Sequence, residues 1–559
     1  MDIILLFLLN MTVLLYGGFF VCVSCALNIL LGAAIIFRGH KNNKIVIPYN
    51  LEMLGMIIIV AMYGVTNIWA VDKGIAIWGL FKYLPLLLFM IYMYQIDEEK
   101  KNKIIMYIPY MAAIMTIISF GLSFIPACRE LFLVNGRLSG FFQYPNTFAM
   151  FLLISAIIVL FKDVKKNYID FVCILVCVLG IAVSKSLAVW CLCIVAVVYF
   201  VFLWLYKNKS RKFVIIGMSI TCIVIISAAI VLGFSGGLNT IIDTSLKTST
   251  FLGRFLYAYD SINVIKDHPF GLGYYGYYFM QGQYQTGVYS VSTVHNDLLQ
   301  LILDIGIIPA LLIFAIIIKQ IISKKQSIRN KTIIVFMLLH TLFDYDMQFM
   351  IMGMILILLL PKGNAKAIKT KKTHEVVMLI VLAVITCFSV RIGASEVFGA
   401  YGDYEKALEL YKGNTLSRIQ CMNMEEDINK KVIMANEILS YNKSVPECFD
   451  AKAIYAYSSG KVDDIILYQE KAINLQQYNN ARVEAYVAVL CECAEYFYEQ
   501  GDLNSAAYCA DNICKAIQEL NELEDKTSKL GWMIQDKPVT ILSDDIQEMV
   551  DTVLLYLQK

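Results

Sequence analysis

Charge is scarce in this chain. Only 16% of its 559 residues are Asp, Glu, Lys or Arg, while 58% are hydrophobic; soluble globular proteins carry roughly 25% charge. No basic run is interleaved with aromatics, so a nucleic-acid partner is not expected. The net charge of +2 adds no argument for a polyanion. Metal-ligand and redox spacings are also missing, although the chain has 15 cysteines. Cys173 and Cys177 share a helix face inside an apolar stretch, and Cys491 and Cys493 fall on different sides of a helix. Both pairs read as small buried hydrophobes, and no metal is expected. Nor does the N-terminus have the form of a cleavable signal: Asp2 leads directly into apolar residues 3–37, with no basic flank and no small-x-small site. That stretch reads as two short spans hinged at Tyr16-Gly17-Gly18.

What is present is a succession of apolar stretches through residues 1–391, many long enough to cross a hydrocarbon core of roughly 30 Å. Residues 392–559 are charged, Tyr-rich and without a spanning stretch. The expected fold is all-α, a polytopic helical membrane domain over 1–391 and a soluble helical domain over 392–559. Between the apolar stretches the polar breaks alternate. One set is basic: 38–44, 100–103, 162–166, 207–212, 319–331 and 362–372. The other is poor in Lys and Arg: 66–74, 126–144, 184–186 and 234–294. The excess of positive charge places the first set in the cytoplasm and the second outside.

Residues 332–360 test this scheme. As one helix they would extend about 43 Å, too long for a bilayer without strong tilt, and Asp344-Tyr345-Asp346 would lie at its middle, where ionised groups are costly. Two short passes with the acidic turn outside resolve both problems. The count is then about thirteen spans, with the C-terminal domain extracytoplasmic; a single pass would give twelve and a cytoplasmic tail. The tail repeats weakly at Gly402, Gly460 and Gly501, each a turn between two helices. This is similar to tetratricopeptide repeats, although the glycine spacing is irregular against a 34-residue period.

The long loop 234–294 is the main polar segment of the membrane part, and loops of that length usually carry function. Its run Gly271-Leu272-Gly273-Tyr274-Tyr275-Gly276-Tyr277-Tyr278-Phe279 suits sugar stacking and equally an interfacial tyrosine belt. It ends at His295, one of five histidines, followed by Asn296, Asp297 and Gln300 on the first turns of a helix. Arg137, Lys185 and Arg254 lie on the same outer side, against the positive-inside trend, and so call for an anionic partner. Lys185 occupies a very short turn, Ser184-Lys185-Ser186. His340 and Asp344 are four apart and are expected on one helix face, as a base-tuning pair or a self-satisfied one.

The string Val294-His295-Asn296-Asp297-Leu298-Leu299-Gln300-Leu301-Ile302-Leu303-Asp304-Ile305-Gly306, preceded by Asp267-His268-Pro269-Phe270-Gly271-Leu272-Gly273, resembles the signature of the O-antigen ligase and O-antigen polymerase family. Arg137 with Pro145-Asn146-Thr147-Phe148-Ala149, and His340 with Asp344, match further patterns of that family over residues 1–360. One departure is that the family commonly has Ser-Arg where this chain has Ser184-Lys185; lysine keeps the charge but loses the planar fork that grips phosphate. The resemblance implies glycosyl transfer from a polyprenyl-diphosphate-linked oligosaccharide to a sugar hydroxyl, outside the cytoplasm of a bacterium, without cofactor, metal or nucleotide sugar. In that reading His295 deprotonates the acceptor, Arg254, Lys185 and Arg137 hold the diphosphate, and Asn296, Asp297, His340 and Asp344 support them. Displacement at the anomeric carbon is expected to invert it. The partners implied are the lipid-linked donor, the glycan acceptor, membrane lipid and a protein met through the tail. Abundant Ile, Lys, Tyr and Asn fit an AT-rich genome and favour polymerisation of a surface polysaccharide over ligation of finished glycan. A flippase and an inert scaffold are the rivals from other classes.

Overall fold

The computed structural model describes residues 2–162, 166–207 and 251–557. The expected span near 213–233, the loop residues 234–250, and residues 163–165 and 208–212 of two basic breaks lie outside them. The described chain is nearly all helical, with two small antiparallel ladders pairing Lys44–Pro48 with Ala365–Lys369 and Leu133–Val134 with Arg137–Leu138. Among the described residues five helices are long and apolar enough to cross a membrane by length and composition, and further apolar helices of 10–17 residues accompany them.

The N-terminal hinge forms as the glycines require. The helix Ile3–Leu14 stops at Tyr16-Gly17-Gly18, all at positive φ, and Val21–Asn42 returns beside it. A Cβ on Gly17 would meet the Phe142 ring at 2.8 Å, so the turn depends on glycine for space as well as for φ. The return brings Arg38 into an ion pair with Asp2. Tyr92 also donates to Asp2, at 2.9 Å.

Residues 332–360 are not one helix. Ile328–Thr341 and Met350–Leu359 flank a turn that holds Asp344-Tyr345-Asp346. Their far ends meet, because the side chains of Gln326 and Asn330 donate to Leu359 O at 2.9 and 2.7 Å. Lys101 donates to Leu360 O and Arg329 to Asn102, and the 44–48 ladder joins residues 365–369. Four basic breaks are thus gathered at one end of the bundle. The breaks poor in Lys and Arg meet at the other: Val71 N donates to Leu272 O (2.9 Å), Arg137 Nε to Ser184 O (2.9 Å) and Asn296 Nδ2 to Leu342 O (2.9 Å).

The bundle centres on Pro145–Leu160, where every residue from Pro145 to Val159 is buried. Its start therefore carries side chains into the interior of the bundle. The helix Lys372–Ala400 is the opposite case, exposing Val377, Ile380, Val384 and Phe388 as a lipid-facing span would. It runs unbroken across residues 391 and 392, the junction of the two expected domains.

Beyond it the tail is a succession of paired helices. Gly460 and Gly501 sit at φ +67 and +77 in the turns between Pro446–Ser458 and Val462–Leu475, and between Asn480–Glu499 and Leu503–Asn521. The second half has its own core around Tyr486, Leu490 and Ile513. The first half shares one with the membrane helices, where Met422, Ile438 and Cys448 pack with Ile75, Trp78 and Phe279. The tail is also bonded to the end of the bundle that holds the breaks poor in Lys and Arg. Tyr411 donates to Gly74 O (2.6 Å), Asn442 Nδ2 to Asp72 (3.0 Å) and Ser528 N to Thr286 O (2.9 Å). A Cβ on Gly282 would lie 2.2 Å from Leu475 O, so the loop and tail touch backbone to backbone there.

Candidate functional site

The site is built around a carboxylate. Asp344 lies in the turn after Ile328–Thr341 and is fully buried. Tyr144 donates to it at 2.6 Å and Asn146 at 2.9 Å, from either side of Pro145 at the start of the central helix. Arg254 Nη2, near the start of Leu252–Asp267, approaches at 3.3 Å, and His295 Nδ1 at 3.6 Å. Burial alone would raise the Asp344 carboxyl, but the Arg254 guanidinium beside it, with His295 and His340, holds it well below the usual carboxylate range. The group is therefore an anion.

Arg137 attaches the remaining cations to this hub. Its Nη2 donates to Asn146 Oδ1 (2.6 Å) and its Nε to Ser184 O (2.9 Å). That second bond fixes the turn whose next residue is Lys185. Lys185 ends the helix Tyr168–Ser184 at φ +50 and is exposed. Its side chain makes no hydrogen bond or ion pair within the described residues. Arg254 Nη1 donates to Phe343 O (2.6 Å), while its Nε is buried with no hydrogen-bond partner among the described residues. Among the described residues the site thus gathers Arg254, Arg137 and Lys185 about the Asp344 carboxylate, with spare donor capacity on Arg254 and Lys185.

His295 sits between aromatic walls, with ring centroids 4.9 Å from Tyr345 and 6.0 Å from Tyr257. Its Nδ1 faces Asp344 without a full hydrogen bond, which leaves Nε2 for a ligand. The residues that follow hold the backbone. Asn296 caps Asp297–Ile305 by accepting from Leu299 N (3.0 Å) and also donates to Leu342 O. Asp297 accepts from Met347 N at 3.0 Å. Each ties the histidine's helix to the Asp344 turn.

His340 and Asp344 do not form the expected pair. The helix closes at Thr341 with Leu342 as its C-cap, so the four-residue periodicity is not carried on to Asp344. His340 Nδ1 instead lies 2.6 Å from Asp346, which also accepts from Thr147 at 2.7 Å. This pair is buried under the turn and braces it. Otherwise His295, Arg254 and Arg137 converge on Asp344 directly or through Asn146, and Lys185 stands beside them.

Four contributions were not evident as roles in the sequence. Tyr144 directly precedes the Pro145-Asn146 motif and Asp346 closes the acidic turn, yet only the fold brings them into this network. Asp304 accepts from Tyr63 (2.8 Å) and Gln300 (2.8 Å), anchoring the histidine's helix from below. Gly271 and Gly273 lie at φ +87 and +79, and a Cβ on Gly271 would sit 2.6 Å from Gly306 N. Leu272 N and Gly273 N donate to Leu303 O and Asp304 O. Residues 267–273 are therefore a backbone clamp on the break at Gly306. No cluster of three or more His, Cys, Asp or Glu residues able to hold a metal ion occurs among the described residues.

Residues 171–315 match the family model described as O-antigen ligase, which supports the O-antigen ligase/polymerase family for this chain. The matched stretch contains Lys185, Arg254, His295, Asn296 and Asp297, while Arg137, His340 and Asp344 lie outside it. No curated protein and no solved structure matches the chain.

Proposed function

Starting from an O-antigen ligase family stretch at residues 171–315, we propose that this protein transfers the glycan of a polyprenyl-diphosphate-linked oligosaccharide to a sugar hydroxyl, polymerising a cell-surface polysaccharide outside the cytoplasm. The observation that carries this reading is the approach of His295 and Arg254 to one buried carboxylate, with Arg137 and Lys185 beside them.

The chemistry follows from the charges. A sugar hydroxyl attacks the anomeric carbon, and its proton passes to His295 Nε2. Histidine is the side chain whose unperturbed titration lies nearest neutral pH, and a positioned base is worth about 10²–10⁴ in rate. Asp344 facing Nδ1 favours the tautomer with its proton there, leaving Nε2 free to accept. The bond from the anomeric carbon to the phosphate oxygen breaks, and its electron pair leaves with the lipid diphosphate. Arg254, Lys185 and Arg137 meet that charge with positive side chains. Attack opposite the leaving group inverts the anomeric centre, and no metal takes part. The tail then lies outside, on the side of His295, which corresponds to thirteen spans.

Lys185 gives a prediction of its own. Because its ammonium is exposed and unpaired within the described residues, Lys185→Ala is expected to fold normally and slow transfer about tenfold or more, as loss of one charge-assisted contact would. Lys185→Arg should keep or raise the rate. Quantitation of polymer formed by membranes carrying each variant checks both.

The reaction itself is tested by the lipid-linked material in a deletion strain. Accumulated single repeat units on the outer leaflet are expected. Accumulated finished polymer on lipid would show a ligase, and repeat units trapped on the cytoplasmic leaflet would show a flippase.

A further inference from the structure

Two cavities lie between the tail and the loop that ends at His295, each enclosing about 440 Å³, within the roughly 300–1,000 Å³ range of ligand sites. The outer one runs between the helix Gly276–Tyr284 and the tail. Amide side chains supply most of its polar wall, with Gln281 and Gln285 from the loop and Gln420, Asn423, Gln476 and Asn479 from the tail. Tyr278, Tyr289 and Tyr478 add aromatic surface, and among the described residues Glu447 is its one charged lining residue. The inner cavity reaches Ser292, Thr293 and Gln300, next to His295, and is lined by Trp78, Tyr274 and Tyr275. Leu416 and Gln420 line both, so the two adjoin.

Amides offer a donor and an acceptor side by side, which matches the paired character of sugar hydroxyls, and tyrosine and tryptophan rings offer flat apolar surface to sugar faces. The near absence of charge in the outer cavity does not suit a diphosphate, and its amide lining does not suit a prenyl chain.

We infer that these two cavities form one cleft that binds the saccharide chain which the reaction lengthens, with the tail helices supplying half of its wall. This rests on the glycosyl-transfer reading above. It makes the tail part of the substrate site: sugars remote from the reacting bond are held between Tyr278 and Gln420, and a chain filling the cleft stays at the enzyme for further rounds.

The variant Gln420→Ala/Asn423→Ala tests it. Both residues are exposed on Thr415–Met424, and neither side chain makes a hydrogen bond within the described residues, so the fold should stand; unchanged elution of the full-length protein in detergent checks this. The probe is the repeat-unit oligosaccharide released by mild acid from the organism's own polyprenyl diphosphate, titrated against the full-length protein. The double variant is expected to bind it about tenfold or more weakly. It should shift the polymer to a shorter modal length and slow lengthening more than the joining of two single repeat units. Gln420→Trp, which fills the junction, should shorten the polymer further. Unchanged binding and unchanged length would overturn the inference, as would an equal loss of first joining and of lengthening. His295→Ala separates the two readings. It should bind the oligosaccharide normally while failing to join repeat units; joining at the wild-type rate sinks the catalytic reading and leaves the binding result standing.

Discussion

Replacing Asp344 with alanine is expected to abolish polymer formation and to lower the thermal stability of the purified protein together. The carboxylate is the buried counter-ion of Arg254 and accepts hydrogen bonds from Tyr144 and Asn146. Its removal strands a buried guanidinium, and breaking such a pair from one side costs roughly 3–5 kcal/mol. Two donors lose their acceptor as well, and Asn146 is the link through which Arg137 is held. Asp344→Asn should recover the packing and part of the stability but not the activity, because an amide gives neither charge to Arg254 nor direction to His295. Thermal unfolding in detergent, read beside polymer yield, separates these outcomes.

The same carboxylate sets an expectation for pH. Its titration is displaced downward in the folded protein, so its contribution is fully present above the unfolded carboxylate value of about 4 and is lost only as pH falls through the lowered folded value. Between pH 5 and 9 the site therefore keeps its anion. Asp344→Asn should remove any stability loss that the wild type shows from this group in strong acid and change nothing of that dependence near neutrality.

The helical membrane fold was legible because its signals are strong and local: long apolar stretches, and breaks whose basic or neutral character alternates. The division of residues 332–360 could be inferred because a single helix would have put Asp344 and Asp346 in hydrocarbon. The partner of His340 could not, since a spacing of four implies contact only while the helix lasts, and the cap at Leu342 ends it two residues short of Asp344. Asp346 then takes the histidine. In the same way Arg137, Arg254 and His295 could be placed on one side from charge alone. That they converge on Asp344 is a property of four chain segments far apart in sequence, and spacing carries no information about it. The tail was read as helix pairs from Gly402, Gly460 and Gly501. Its seating against the 66–74 break and the loop rests instead on close backbone approaches, such as Gly74 on Gly413 and Gly287 on Gly531, which leave no pattern in either segment alone.

The second large effect belongs to His295. Its ring neither fills a core nor completes a hydrogen bond through Nδ1, so truncation should cost little in stability. Its loss as a base should cost about 10²–10⁴ in rate. This combination, a well-folded protein with transfer removed, distinguishes a reacting group from a structural one, and it contrasts with Asp344→Ala, where both fall. The most direct measurement is polymer formation from lipid-linked repeat units by membranes containing equal amounts of inserted wild-type and His295→Ala protein. The account predicts that the variant leaves the repeat units unjoined at unchanged thermal stability; polymer of normal length and yield from His295→Ala would contradict it.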